Sequence, residues 1–360
     1  MRNQQEIEEK KVEELEAEKQ SKIIKEFKQF DVVTDNTNNH HYGTSSSNQS
    51  GGSSKIPTKK IMQEWKILQK NLPDSIFVRA YEGRIDLLRA VIIGAQGTPY
   101  HDGLFFFDIQ FPSDYPNEPP KVYYHSFGFR LNPNLYANGW VCLSLLNTWT
   151  GKKIEKWNPS ESTILQVLVS IQALVLNAKP YFNEPINGIM PNWSFWEKKS
   201  LAYNEETFLL SIKTMLAVLN RPPKHFEEFV AQHFHERAET ILIACKAYID
   251  GREKIGDQIR NGFSASSSIS SGGGAAVSKK FQLSMDIMYP RLVRAFRKNG
   301  STLENFVEPH KGDKNQTDDH HRHHHKSNKN QVVVNRRGDG IVKKAYNKMK
   351  KILKKIGNSV

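Results

Sequence analysis

The chain holds two cysteines, and their surroundings set them apart. Cys142 stands in Leu131-Asn-Pro-Asn-Leu-Tyr-Ala-Asn-Gly-Trp-Val-Cys-Leu-Ser-Leu-Leu146, just past a Pro-Asn turn and a glycine, where no helical or strand period holds. Free cysteine is among the most buried residue types, so a small core hydrophobe is one reading of it. Its neighbours point to another. Asn134 lies eight residues earlier on a turn fixed by Pro133, within reach of the thiol. Asn183-Glu184-Pro185 sets an acid on a second turn. Thiol, amide and carboxylate together suit acyl transfer from a thioester to an amine. The sulfur holds the acyl group, the amide donates to the developing oxyanion or braces the loop, and the carboxylate orients the incoming amine. No histidine stands in the Cys142 motif to activate the thiol, which speaks against a cysteine hydrolase. A thiol with an ordinary pKa of about 8.5 leaves few thiolates at neutral pH, which suits a thioester that must survive until an amine arrives. Cys245, in Ile241-Leu-Ile-Ala-Cys245, falls on an apolar helix face and reads as structural.

The elements that must hold this loop are visible as patterns. Ile61, Trp65, Leu68 and Leu72 recur at helical spacing over 58–71, and Pro73 ends the run. Four runs of strand character follow, Ile76–Tyr81, Leu87–Ile93, Leu104–Phe111 and Val122–Ser126, with connections short enough for an antiparallel meander. Beyond Pro159, Ser160 or Ser162 is placed to cap a helix carrying Ile164, Leu165, Val167, Leu168, Ile171 and Leu174; its nearly uniform apolarity predicts a central, buried position. Further helices are expected at about 204–219 and 224–249, split by Arg221-Pro222-Pro223, and near 281–298 after a Ser/Gly stretch at 262–276.

Hydrophobic residues make up 38% of the chain, below the globular average, so part of it lies outside any core. The shortfall sits in 1–55, 262–278 and 308–340. With no signal-peptide pattern after Arg2 and no run of 18 apolar residues, the expectation is an intracellular protein, cytoplasmic or nuclear, with free thiols. The formal charge of +13 is concentrated toward the C-terminus. There, 341–356 aligns Ile341, Val342, Ala345, Met349, Ile352, Leu353 and Ile356 against seven lysines, a basic amphipathic helix suited to anionic membrane or an acidic protein. No nucleic-acid motif accompanies the charge, so no specific nucleic-acid partner is expected. His320, His321, His323, His324 and His325 lie in a polar tract and read as low complexity, not as a metal site.

Asn132-Pro133-Asn134 with Cys142 resembles the motif of ubiquitin-conjugating enzymes, in which a His-Pro-Asn tripeptide precedes the catalytic cysteine. Phe111-Pro-Ser-Asp-Tyr-Pro-Asn-Glu-Pro-Pro-Lys-Val122 upstream, and Trp157-Asn-Pro159 with Ser162-Thr-Ile-Leu165 downstream, match the family in its order. Asn132 replaces the family's histidine, residues 147–156 form an insertion, and Asn117 stands where many members carry an aromatic. Asn147-Thr148-Trp149-Thr150-Gly151, Arg221-Pro-Pro-Lys-His-Phe226 and Phe27-Lys-Gln-Phe-Asp-Val32 resemble a subgroup that includes a phosphate-responsive plant enzyme and large animal hybrids of conjugating and ligase activity.

The resemblance implies an α+β UBC fold: an N-terminal helix, a four-stranded antiparallel meander, a catalytic-cysteine loop, C-terminal helices, a helical C-terminal extension and disordered tails. The expected organisation is a charged helical segment (1–33), a low-complexity linker (34–56), a conjugating core (57–222), a helical extension broken by the Ser/Gly linker (223–300), a His-rich tail (301–340) and the basic helix (341–360). It also implies Cys142 as the thioester cysteine, Asn134 as the motif asparagine and Glu184 as an acidic gate. The implied partners are ubiquitin, its activating enzyme, substrate lysines and, where one is used, a ligase. No cofactor is implied. The competing reading is a catalytically silent module of the same fold, against which the retained Cys142 and Asn134 argue.

Overall fold

A computed structural model describes residues 27–34, 37–44, 57–149, 151–184, 193–256 and 277–306. Strands β1 (Phe30–Val33), β2 (Ile76–Tyr81), β3 (Arg84–Ile93), β4 (Leu104–Gln110) and β5 (Lys121–Tyr124) form one sheet in that order. β2 to β5 are the expected antiparallel meander. β1 adds a fifth, edge strand, parallel to β2 with Phe30 opposite Val78. Residues 30–33 are therefore strand rather than part of a helical segment; residues 1–26 lie outside the described residues.

Side chains alternate across a strand, and here both faces are covered. On one face Ala90, Ile92, Phe105 and Phe107 meet α1 (Thr58–Asn71) and α2 (Ile164–Ser170), which continues as one π turn to Val175. On the other, Val91, Leu104 and Phe106 meet α3 (Trp193–Asn220), α4 (Glu227–Ile249) and α5 (Lys279–Lys298). Burial on two sides explains why β3 and β4 read as nearly unbroken apolar runs.

Three charged residues fall on that second face and are paired there. Arg89 donates through Nε and Nη2 to the Asp108 carboxylate at 2.6 and 2.9 Å. The backbone N–H of His41 adds a third bond to Asp108, at 2.7 Å, and buried His40 donates from Nε2 to the Leu88 carbonyl at 2.9 Å. Arg79 sits over the Phe27 ring at 4.0 Å. Residues 37–44 are thus docked on the sheet, a correction to the expected linker over 34–56.

Inside the first face, buried Glu64 of α1 accepts from the Tyr115 hydroxyl (2.8 Å) and from the backbone N–H of Ile164 (3.0 Å), holding the start of α2. The cap of α2 is neither Ser160 nor Ser162. Thr163 accepts from Gln166 N (3.2 Å) while the Gln166 side chain accepts from Thr163 N (3.1 Å), a reciprocal capping box. Ser162 instead accepts from Asn158 N at 2.9 Å.

The expected extension over 223–300 is no appendage: Phe226 contacts Phe106 edge-on at 5.3 Å and shares the second core. Residues 301–306 are not tail either. Leu303 and Phe306 are buried, and Arg297 donates to both of their carbonyls. Residues 307–360, including the histidine tract and the basic segment 341–356, lie outside the described residues.

Candidate active site

The loop that carries Cys142 is held by its own amides. Asn132, fully buried, accepts at Oδ1 from Asn134 N (2.7 Å) and Leu135 N (3.0 Å). Its Nδ2 donates to the Val175 carbonyl (2.9 Å) and the Tyr100 hydroxyl (3.1 Å), tying the turn to the end of α2. An amide can accept twice and donate twice, so one side chain closes the turn and anchors it.

Asn134 and Cys142 then lock together in both directions. Cys142 N donates to Asn134 O at 2.9 Å, and Asn134 Nδ2 donates to Cys142 O at 2.9 Å. The amide thus faces the cysteine's own carbonyl, the bracing arrangement of the two left open by the sequence. Its Oδ1 is buried without a hydrogen-bond partner among the described residues. Beyond the cysteine, the insertion contributes Thr148, whose hydroxyl accepts from Leu143 N (2.9 Å) and donates to Val141 O (2.7 Å).

Cys142 is 5% exposed. Burial pushes its thiol up; hydrogen bonds from Trp140 and Tyr136 and the charge of Arg130 pull it back, and Glu184 opposes them. Arg130 stacks on the Tyr136 ring at 4.6 Å. Glu184 ends a short 3-10 turn (Pro180–Asn183) and lies 3.7 Å from Arg130, a partly exposed and therefore weak pair. A cleft of about 310 Å³, lined by Arg130, Pro133, Tyr181, Glu184 and Tyr203 among others, opens beside them. Asn134 and Cys142 thus sit together on one loop, and Glu184 lines a cleft to which that loop contributes Leu131 and Pro133.

Cys245 is fully buried on α4, and burial drives its thiol far above the usual range. Reading the sequence missed Arg130, Tyr136, Trp140 and Thr148. Only Trp140 left a signal: two residues before Cys142, it shares the cysteine's side wherever the chain is extended. Among the described residues no cluster of His, Cys, Asp or Glu is grouped to hold a metal ion, and no helix is long and apolar enough to cross a membrane.

Comparison with known proteins bears directly on this loop. The family model described as "Ubiquitin-conjugating enzyme" matches residues 60–207. "Putative ubiquitin-conjugating enzyme E2 38" of Arabidopsis thaliana is 55% identical over 239 residues, covering 66% of this chain and 72% of that protein. "Probable ubiquitin-conjugating enzyme E2 23" of the same plant is 64% identical over 193 residues, covering 54% of this chain but 18% of that protein. The human "Dual E2 ubiquitin-conjugating enzyme/E3 ubiquitin-protein ligase BIRC6" is 40% identical over 205 residues, 55% of this chain and 4% of its own length.

Proposed function

The chain belongs to the ubiquitin-conjugating enzyme family, and from that premise we propose that Cys142 is the sulfur on which it carries ubiquitin before transfer to a lysine. The observation that carries this reading is the mutual lock of Asn134 and Cys142 on a loop whose Leu131 and Pro133 line an open cleft.

In the first step the Cys142 thiolate attacks the carbonyl of ubiquitin's C-terminal glycine, held as a thioester on the activating enzyme. A new C–S bond forms, the old one breaks, and the proton lost by Cys142 is gained by the departing thiol. In the second, a neutral lysine amine attacks the same carbonyl. A C–N bond forms, the C–S bond breaks, and Cys142 leaves as thiolate and recovers a proton. Glu184, partly exposed and lining the cleft, is suited to draw in the lysine as its ammonium and to orient it. Asn134 holds Cys142 in place by its backbone carbonyl; service to the oxyanion would need the amide to turn. Discharge onto free lysine without a ligase is a further part of the proposal, supported by likeness to a protein named as both conjugating enzyme and ligase.

Residues 341–356 are proposed to contact anionic lipid or an acidic protein, on sequence pattern alone. Equal liposome binding by the full chain and a chain ending at 339 would remove that part.

The test is a charging assay with activating enzyme, ATP and ubiquitin. Wild type should yield an adduct cleaved by reducing agent; Cys142→Ser should yield one that resists it, and Cys142→Ala none. An undiminished adduct in Cys142→Ala would overturn the assignment.

A further inference from the structure

The cleft beside the Cys142 loop has a wall with no part in the transfer steps above. On α3, Tyr203, Glu206, Thr207 and Leu210 recur at helical spacing and line it together. The 3-10 turn contributes Tyr181 and Glu184 to the same cleft. Both walls are anchored from behind. Asn204 Nδ2 donates to Ala178 O (3.0 Å), joining α3 to the chain just before the turn. Asn183 Nδ2 donates to Val175 O (3.1 Å) and its Oδ1 accepts from Asn177 Nδ2 (2.6 Å), which pins the residue before Glu184.

The lining has the make-up of a cation site. The Tyr181 and Tyr203 rings lie 5.8 Å apart between centroids, at 56°. Aromatic faces attract cations, and two carboxylates share the cleft with them. Burial pushes the Tyr203 hydroxyl up to about 12; Arg130 lowers it, and Glu184 and Glu206 raise it, so all three charges act at this one ring. Each carboxylate has a loosely held cation. Glu184 lies 3.7 Å from Arg130, and Glu206 accepts from Lys280 Nζ of α5 at 2.9 Å, both members of the second pair being well exposed. Exposed ion pairs contribute little, so another cation displaces Lys280 readily. Glu205 accepts from Ser278 N (2.7 Å) and from the Ser278 hydroxyl, which fixes the start of α5 here and sets Lys280 against Glu206. An ammonium is thus already seated at the rim of this cleft.

We propose that Tyr203 and Glu206 make the cleft select the sequence around the acceptor: they hold a lysine or arginine side chain that neighbours the acceptor lysine in a substrate protein, in the seat that Lys280 takes in the free enzyme. The proposal rests on Cys142 being the ubiquitin-bearing sulfur, with Glu184 attending the reacting amine. Of the two carboxylates, Glu184 is the one whose charge acts on the Cys142 thiol, which leaves Glu206 to the flanking residue. No bond to that residue forms or breaks. Its binding is the same before and during transfer, so it lowers KM and leaves kcat unchanged.

The test, in the full chain, compares discharge of the purified ubiquitin adduct onto two acceptor peptides, Arg-Gly-Lys-Gly-Arg and Gln-Gly-Lys-Gly-Gln. Wild type should favour the first about threefold, through KM. Glu206→Gln, isosteric and on the surface, should remove the preference, and Tyr203→Leu should shrink it. Lys280→Ala clears the seat and should widen the preference; Lys279→Ala, which removes the same charge one residue away, should leave it as it was. A merely structural Glu206–Lys280 pair gives no such gain. Equal use of the two peptides by wild type, or a preference kept in Glu206→Gln, would overturn the proposal. NMR titration of uncharged Cys142→Ala protein with the same peptides reads the cleft without transfer. Tighter binding of the arginine peptide, lost when Glu206→Gln is added, is expected; equal binding of the two would overturn the proposal. If Cys142 were not the ubiquitin-bearing sulfur, Cys142→Ala would charge like wild type while the titration still reported on the cleft, so the two failures are distinguishable.

Discussion

Within the Cys142 loop the two asparagines have different tasks. Asn132 spends all its hydrogen-bonding capacity on the turn and on Val175 and Tyr100, and stands where the family has histidine. Asn134 is the one that reaches the cysteine, through Cys142 O. Replacing it by alanine strands a buried carbonyl, so Asn134→Ala should lose about 1–3 kcal/mol of stability and slow charging and discharge alike. Urea unfolding with single-turnover rates for each half-reaction would show this. A discharge-only loss at unchanged stability would assign the amide to the oxyanion instead. That Asn134 meets Cys142 could be read from the sequence because the eight-residue spacing across a Pro-Asn turn is local. The direction of the Asn134 amide could not, because both choices use the same spacing. Tyr136 was missed because the chain doubles back through the Asn132–Leu135 and Leu135–Val141 bridges to bring it near the cysteine.

Among the elements, periodicity found α1, α4, α5 and four strands because each buries a face whose pattern is continuous. β1 is four residues long, and its partner Val78 is 48 residues away from Phe30, so no local pattern marks it. The loop between β3 and β4 was equally opaque. There Asp102, with a left-handed φ of 61°, accepts from Arg237 of α4 at 2.6 and 2.8 Å and from His101 at 2.8 Å. Burial alone would raise the Asp102 carboxyl; His101 and Arg237 outweigh it and hold it at about 2, below its usual 3.8. A carboxylate depressed in the folded state contributes stability above its unfolded pKa and loses it as pH falls toward the folded one. This loop-to-helix lock should therefore supply about 2 kcal/mol near neutrality and lose it between about pH 4 and about pH 2. Asparagine tolerates a left-handed φ, so Asp102→Asn should be less stable at neutral pH with a flatter decline in acid. Parallel urea midpoints for the two proteins across that range would contradict it.

For the whole molecule, both sheet faces are core, and the second is closed by residues beyond the 60–207 match. Phe27, Phe77, Phe226 and Phe229 meet there, joining the N-terminal motif to the start of α4. A chain ending at 220 would uncover Val91, Leu104 and Phe106, and exposed apolar area of that size promotes association. It should bind a hydrophobic dye and aggregate more readily than the full chain; a truncation no more prone to either than the full chain would show that α4 and α5 are dispensable cover. The extension was read from the sequence as a separate unit because Pro222-Pro223 looks like a boundary. In the fold it is a corner.

Two thiols, Cys142 on the loop that helps line the cleft and Cys245 sealed in α4, make the central claim decidable in one measurement: charging of Cys142→Ala and Cys245→Ala side by side, with peptide mapping of the adduct under non-reducing acid conditions. The expected result is a wild-type adduct in Cys245→Ala, mapped to the Cys142 peptide, and none in Cys142→Ala. An adduct that survives in Cys142→Ala, or maps elsewhere, would contradict a Cys142 thioester.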